Sequence, residues 1–203
     1  MTSVDFSPDG TLVAVGTGEP SRSGTLSVWN RDSGEKVWED SEAHSDVVSA
    51  LEFSPDGKHI LTCAADRMAK VFQAADGKFI RAYEGHTGYV SGVAWRADGL
   101  QFATAGADHD IKVWEFESGD QKKTQKGHSK EVTGVGYLGT GDSVVTSSGD
   151  GSVRIANQPL PSSSGFVQCV AVDAGGSWIV SGGPDGVVRI WSAGDKKLKH
   201  ELK

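Results

Sequence analysis

Along this chain apolar and polar residues alternate in short runs, each cut off by glycine, proline, aspartate or asparagine. No longer stretch repeats its apolar positions every three or four places, so the pattern predicts strands and no helices. The segment from 90 to 125 shows this best. Val90 to Trp95 alternates as one strand, and Ala97-Asp98-Gly99 follows as a tight turn. Phe102 to Ala105 gives a second strand, Asp108-His109-Asp110 a turn, and Ile111 to Glu115 a third strand. Gly119-Asp120 turns the chain again into a polar fourth strand, Gln121 to Gln125. One such unit is a four-stranded antiparallel sheet.

The unit recurs. Ser7-Pro8-Asp9-Gly10 returns as Ser54-Pro55-Asp56-Gly57, then as Arg96-Ala97-Asp98-Gly99, Leu138-Gly139-Thr140-Gly141 and Asp173-Ala174-Gly175-Gly176. His44, His86 and His128 are spaced by 42, as are Asp66, Asp108 and Asp150. Trp29, Phe72, Trp114, Ala156 and Trp191 fill one equivalent position. Three interlocked series with one period mark a repeat architecture. The units fall near 1–40, 41–83, 84–125, 126–160 and 161–203. Two depart from the pattern. Gly10 to Trp29 spans 19 residues where the other turn glycines precede this position by 15, an insertion within Gly16 to Gly24 that holds Glu19, Pro20, Ser21 and Arg22. Ala156 to Gly176 spans 20 where its counterparts span 27 or 28, so the fourth unit has lost most of its outer strand. Asn157 to Gly165 reads as its irregular edge.

These motifs resemble the WD-repeat (beta-transducin-type) family. The likeness rests on Gly85-His86 and Gly127-His128 (with Ala43-His44 as a variant), the Ser-Pro-Asp-Gly turn, the turn aspartate and the strand-ending tryptophan. It implies an all-β propeller with each unit a blade. The stretches GTGEPSRSGTLSVWN, AHSDVVSALEFSPDG and GHTGYVSGVAWRADG are also similar to bacterial WD-repeat segments of larger proteins, some carrying a c-type haem domain. No haem-attachment motif lies within this chain. Propellers of this family usually close with seven or eight blades, so five imply an open or partial ring, with a ring tightened to five blades as the alternative. Self-association, or further blades from a longer chain, would cover the ends.

His86, Thr104, Asp108 and Trp114 match the family's structural hydrogen-bond tetrad. In physical terms the aspartate accepts from the imidazole, which bonds the hydroxyl, which accepts from the indole; such a chain is stable only if every member is satisfied. His44, Thr62 and Asp66 end in Phe72, and His128, Thr146 and Asp150 end in Ala156. Ser181, Asp185 and Trp191 have no histidine before them. A catalytic triad is needed once, whereas this set recurs every 42 residues, so it reads as scaffolding and no catalytic residue is expected. No metal site is expected either, because equivalent residues spread round a ring cannot converge on one ion. His59, His109 and His200 read as exposed. The glycines, 27 of 203, punctuate hairpins and form no phosphate loop, so no cofactor is expected.

Composition narrows the partner. A net charge of −7 argues against nucleic acid. No run approaches the ~18 to 20 apolar residues of a membrane span. Met1 opens no secretory signal, and Cys63 and Cys169 lack any paired spacing and read as reduced core thiols in a cytoplasmic protein. Trp38, Trp95 and Trp178 read as packing residues. The resulting expectation is a protein-interaction scaffold whose tetrad-bearing loops present Arg22, Asp46, Arg67, Met68, Tyr89, His109 and Lys130 to a protein partner. The alternative is an accessory segment of a larger enzyme or electron-transfer protein with its active part elsewhere.

Overall fold

The computed structural model describes residues 2–161 and 165–203; part of the segment from Asn157 to Gly165, at 162–164, lies outside the described residues. The described chain holds five four-stranded antiparallel meanders, each in chain order. The first comprises β1 (Ser3–Phe6), β2 (Leu12–Glu19), β3 (Ser23–Asn30) and β4 (Lys36–His44). The second comprises β5 (Val48–Phe53), β6 (His59–Ala64), β7 (Met68–Gln73) and β8 (Phe79–Glu84). The third comprises β9 (Val90–Trp95), β10 (Gln101–Gly106), β11 (Ile111–Glu115) and β12 (Gln121–Gln125). In the fourth, β13 (Val132–Tyr137), β14 (Val144–Ser148) and β15 (Val153–Ile155) are followed by a two-residue β16 (Gln158–Pro159). The fifth has β17 (Cys169–Val172), β18 (Trp178–Gly182), β19 (Val188–Ser192) and β20 (Leu198–Leu202). The insertion of the first unit adds three rungs, Thr17 opposite Thr25, Gly18 opposite Gly24 and Glu19 opposite Ser23, which lengthen the β2–β3 hairpin.

Turn chemistry explains the recurring Ser-Pro-Asp-Gly. Ser54 Oγ donates to Asp56 at 2.6 Å and accepts the His59 N–H at 2.9 Å, while Gly57 takes φ 71°. Ser7, Asp9 and Leu12 repeat the arrangement.

The sheets stack side by side like blades. Their inner strands meet in succession, β1 with β5, β5 with β9, β9 with β13 and β13 with β17, and the arc does not close into a ring. Each sheet buries one apolar layer against the next. Leu61, Cys63, Val71 and Tyr83 of the second face Val93, Trp95, Phe102 and Trp114 of the third. Tyr83 meets Phe102 and Trp114 edge-on at 4.6 and 5.6 Å. Fully burying one such side chain contributes about 1.5–3 kcal/mol, so these layers hold the arc together.

Polar staples add register. On the inner strands Thr2 and Ser91 donate to the carbonyls of Val48 and Val132 in the next sheet, and Thr133 does so to Val167 at 2.7 Å. Asp5 accepts the Phe53 N–H at 2.8 Å and Glu52 the Trp95 N–H at 2.7 Å. Burial pushes the Glu52 carboxyl up to about 8 despite that donor, with Asp5 adding like charge. On the outer strands Trp38 Nε1 donates to the Ala74 carbonyl at 2.8 Å, and Arg81 to that of Glu117 at 2.9 Å.

Several sequence expectations fail. Cys63 is core, but Cys169 is exposed because the inner strand of the last sheet has no following neighbour. Trp178 is 44% exposed for the same reason. His59 is not free in solvent; its ring lies 4.8 Å from that of Phe116 in the next sheet.

Candidate functional site

The loops leading into the inner strands and the turns joining second to third strands emerge at one end of the sheets. In the third sheet His86 enters from the loop after β8. Its Nδ1 lies 2.9 Å from both Asp108 oxygens and its Nε2 2.8 Å from Thr104 Oγ1, which also accepts the Trp114 indole N–H at 3.0 Å. A carboxylate can only accept, so Nδ1 carries the proton and Nε2 accepts from the hydroxyl. Burial holds the His86 imidazole below its usual value and so keeps it neutral. Asp108 also accepts the Thr87 N–H at 2.8 Å, tying the incoming loop to the turn.

The second and fourth sheets form shorter chains. His44 bonds Asp66 and Thr62, each at 2.8 Å, and the Thr62 hydroxyl also lies 3.2 Å from the Lys70 carbonyl; Phe72 fills the indole position. His128 bonds Asp150 at 2.9 Å and Thr146 at 2.8 Å. There Ser152 and Arg154 join in, at 2.6 and 3.4 Å from Asp150. The fifth sheet does not assemble the set. Trp191 donates to the Pro161 carbonyl at 3.0 Å, Asp185 pairs with Arg189 at 2.8 Å, and Ser181 is buried without linking them. The shortened fourth sheet leads into the fifth with no histidine loop, so among the described residues no imidazole bridges hydroxyl to carboxylate.

Three histidines, each entering from the end of one sheet, are thus bound to a hydroxyl and a carboxylate of the next. Beside them, the residue after each turn aspartate has left-handed backbone. Gly151 and Gly186 occupy it at φ 88° and 72°, but Arg67 and His109 occupy it at φ 73° and 70°. A side chain there costs on the order of 1–2 kcal/mol. Both project into solvent. Tyr89, 47% exposed, borders a cleft of about 250 Å³ with Phe166, Ser49, Glu131 and Gln168 at the entrance between the inner strands. Phe166 and the cleft polar groups were not singled out by sequence; their common place just before or within an inner strand was the available signal. Lys130 is exposed, Met68 is half-buried at the start of β7, and Arg22 pairs with Glu19 at 3.2 Å. The Asp46 carboxylate accepts the N–H groups of Ser21 and Val47 at 2.9 and 2.8 Å, anchoring the inserted hairpin.

Among the described residues no helix is long and apolar enough to cross a membrane. Over 63 residues, 31% of the chain, the sequence is 33% identical to eukaryotic translation initiation factor 3 subunit I of Candida glabrata, and the match spans 18% of that protein. The profile of the WD domain, G-beta repeat, matches residues 1–30, 36–73, 77–115, 119–157 and 158–192. Each internal match starts near the outer strand of one sheet and ends near the third strand of the next, the stretch that the histidine–aspartate bond closes. With five matched repeats covering most of its length, the chain belongs to the WD domain, G-beta repeat family.

Proposed function

We propose that this chain is a non-catalytic scaffold that holds a protein partner on the loop face carrying the histidine–aspartate clasps. The observation that carries this reading is the left-handed backbone at Arg67 and His109, where two equivalent turns have glycine. Stability alone favours glycine at such a turn, and strain of this kind clusters where side chains serve recognition. Arg67, Lys130 and Arg22 place three cations on the rim of a chain of net charge −7, and Tyr89 with Phe166 offers aromatic anchors beside them. The partner that fits is an acidic protein segment bearing an apolar side chain. The relative's name makes it one subunit of an assembly, translation initiation factor 3, which agrees with a role in holding other chains.

The test is a triple variant, Arg67→Gly, His109→Gly and Tyr89→Ala, used as bait beside the unaltered chain. The expected result is an unchanged or higher melting temperature with loss of the proteins retained by the unaltered chain. An unchanged retained set would remove this face from consideration.

A further inference from the structure

The first and fifth sheets each leave one broad face uncovered, and the repeat shows what each face is shaped to meet. On the fifth, Val180, Val188, Ile190 and Leu202 occupy the positions of Leu61, Ala69, Val71 and Tyr83, which in the second sheet pack against the third. On the first, Phe6, Val13 and Trp29 occupy the positions of Trp95, Phe102 and Trp114, the other half of that same interface. Phe6 is 56% exposed and Leu202 54%. The two ends therefore carry complementary halves of one contact, and the open arc keeps them apart within a single chain.

Three polar details match as well. Trp178 stands where His59 stands, and the His59 ring lies tilted against Phe116 of the following sheet. The first-sheet counterpart of Phe116 is Arg31; both return their N–H to the residue after the first turn, Leu100 and Thr11, at 3.0 Å. Arg31 has half its side chain exposed, so an indole would meet a guanidinium, an attractive pair absent from the internal joints. His200 stands opposite Ile190 as Trp38 stands opposite Val28 and Arg81 opposite Val71, the two outer-strand donors that reach the next sheet's carbonyls.

We propose that the uncovered face of the fifth sheet receives the uncovered face of the first sheet of a second copy, Leu202 lying against Val13 and Trp29, and Trp178 over Arg31. Such a contact is head-to-tail and generates rings or open chains. Its test uses light scattering over a wide concentration series. The unaltered chain should rise from 21.3 kDa to multiples of that mass as concentration increases. Phe6→Glu alone and Leu202→Glu alone should each stay monomeric, because every copy then lacks one half of the contact. An equimolar mixture of the two should form a complex of twice 21.3 kDa, joined through the one pair of intact faces. Trp178→Ala should weaken association by roughly fivefold. Far-UV circular dichroism checks folding; should either glutamate variant fail it, Val4→Lys and Val188→Lys repeat the experiment on the same faces. A chain that stays monomeric throughout, or single variants that still pair, would overturn the proposal.

Discussion

Replacing His86 with alanine tests the hydrogen-bond chain where it is complete. Three losses add. The Thr104 hydroxyl, fully buried, loses its acceptor while still receiving the Trp114 N–H at 3.0 Å. An orphaned buried donor costs about 1–3 kcal/mol. Asp108 loses its 2.9 Å partner but keeps the N–H groups of Thr87 and Asp110, so its desolvation is only partly exposed. The vacated ring also leaves a small cavity. Together the expected cost is about 2–4 kcal/mol, which in a chain of this size lowers the melting temperature by roughly 4–16 °C. His44→Ala should cost less, because Thr62 has the Lys70 carbonyl 3.2 Å away as a substitute acceptor. His128→Ala should also cost less, because Ser152 and Arg154 continue to satisfy Asp150. Thermal and urea denaturation of the three variants, with Lys123→Ala as an exposed control, measures the order. If His86→Ala melts with the control, the chain carries no stability and the reasoning fails.

Further outcomes follow from the same geometry. Glu52 binds its proton more tightly folded than unfolded, so stability should fall as pH rises from 6.5 toward 8, by on the order of 1 kcal/mol. The window lies above the usual value of His86 and His128, both lowered by burial and so already neutral there. Glu52→Gln should flatten this limb in melting curves, and a slope that survives the change would show that another group sets it. Gly106→Ala would drive a methyl into both His86 Nδ1 and Asp108 Oδ1, and should destabilise by about 1–3 kcal/mol in urea titration; a neutral result would mean the clasp yields freely. In the native chain a thiol reagent should titrate Cys169 alone, since Cys63 is buried and its thiol pushed far up; two reactive equivalents before unfolding would contradict the core.

Most of the architecture was readable from spacing because each sheet is specified locally: the Ser-Pro-Asp-Gly turn, the alternation beside it and the tryptophan position recur in every unit or nearly so. The clasps were readable too where all partners fall within one period, as His86, Thr104, Asp108 and Trp114 do. What escaped depended on neighbours. Trp178 and Cys169 look like core residues by pattern, and only the absence of a covering sheet exposes them. Ser181, Asp185 and Trp191 keep the right spacing, yet without the imidazole their polar groups turn to Arg189 and Pro161. Asp5 and Glu52 were invisible because the donors they satisfy are backbone N–H groups of another sheet.

The missing histidine before β17 has a mechanical meaning. Three of the four joints along the arc are pinned at their rim by an imidazole that grips the sheet ahead. Among the described residues the last joint has no imidazole clasp and relies on side-chain packing, main-chain bonds near Val167, and the Thr133 and Trp191 bonds to the Val167 and Pro161 carbonyls. It is the compliant link in an otherwise stiff array. Bending strain imposed on the arc collects there, and the pitch of the final sheet adjusts before any other part gives way.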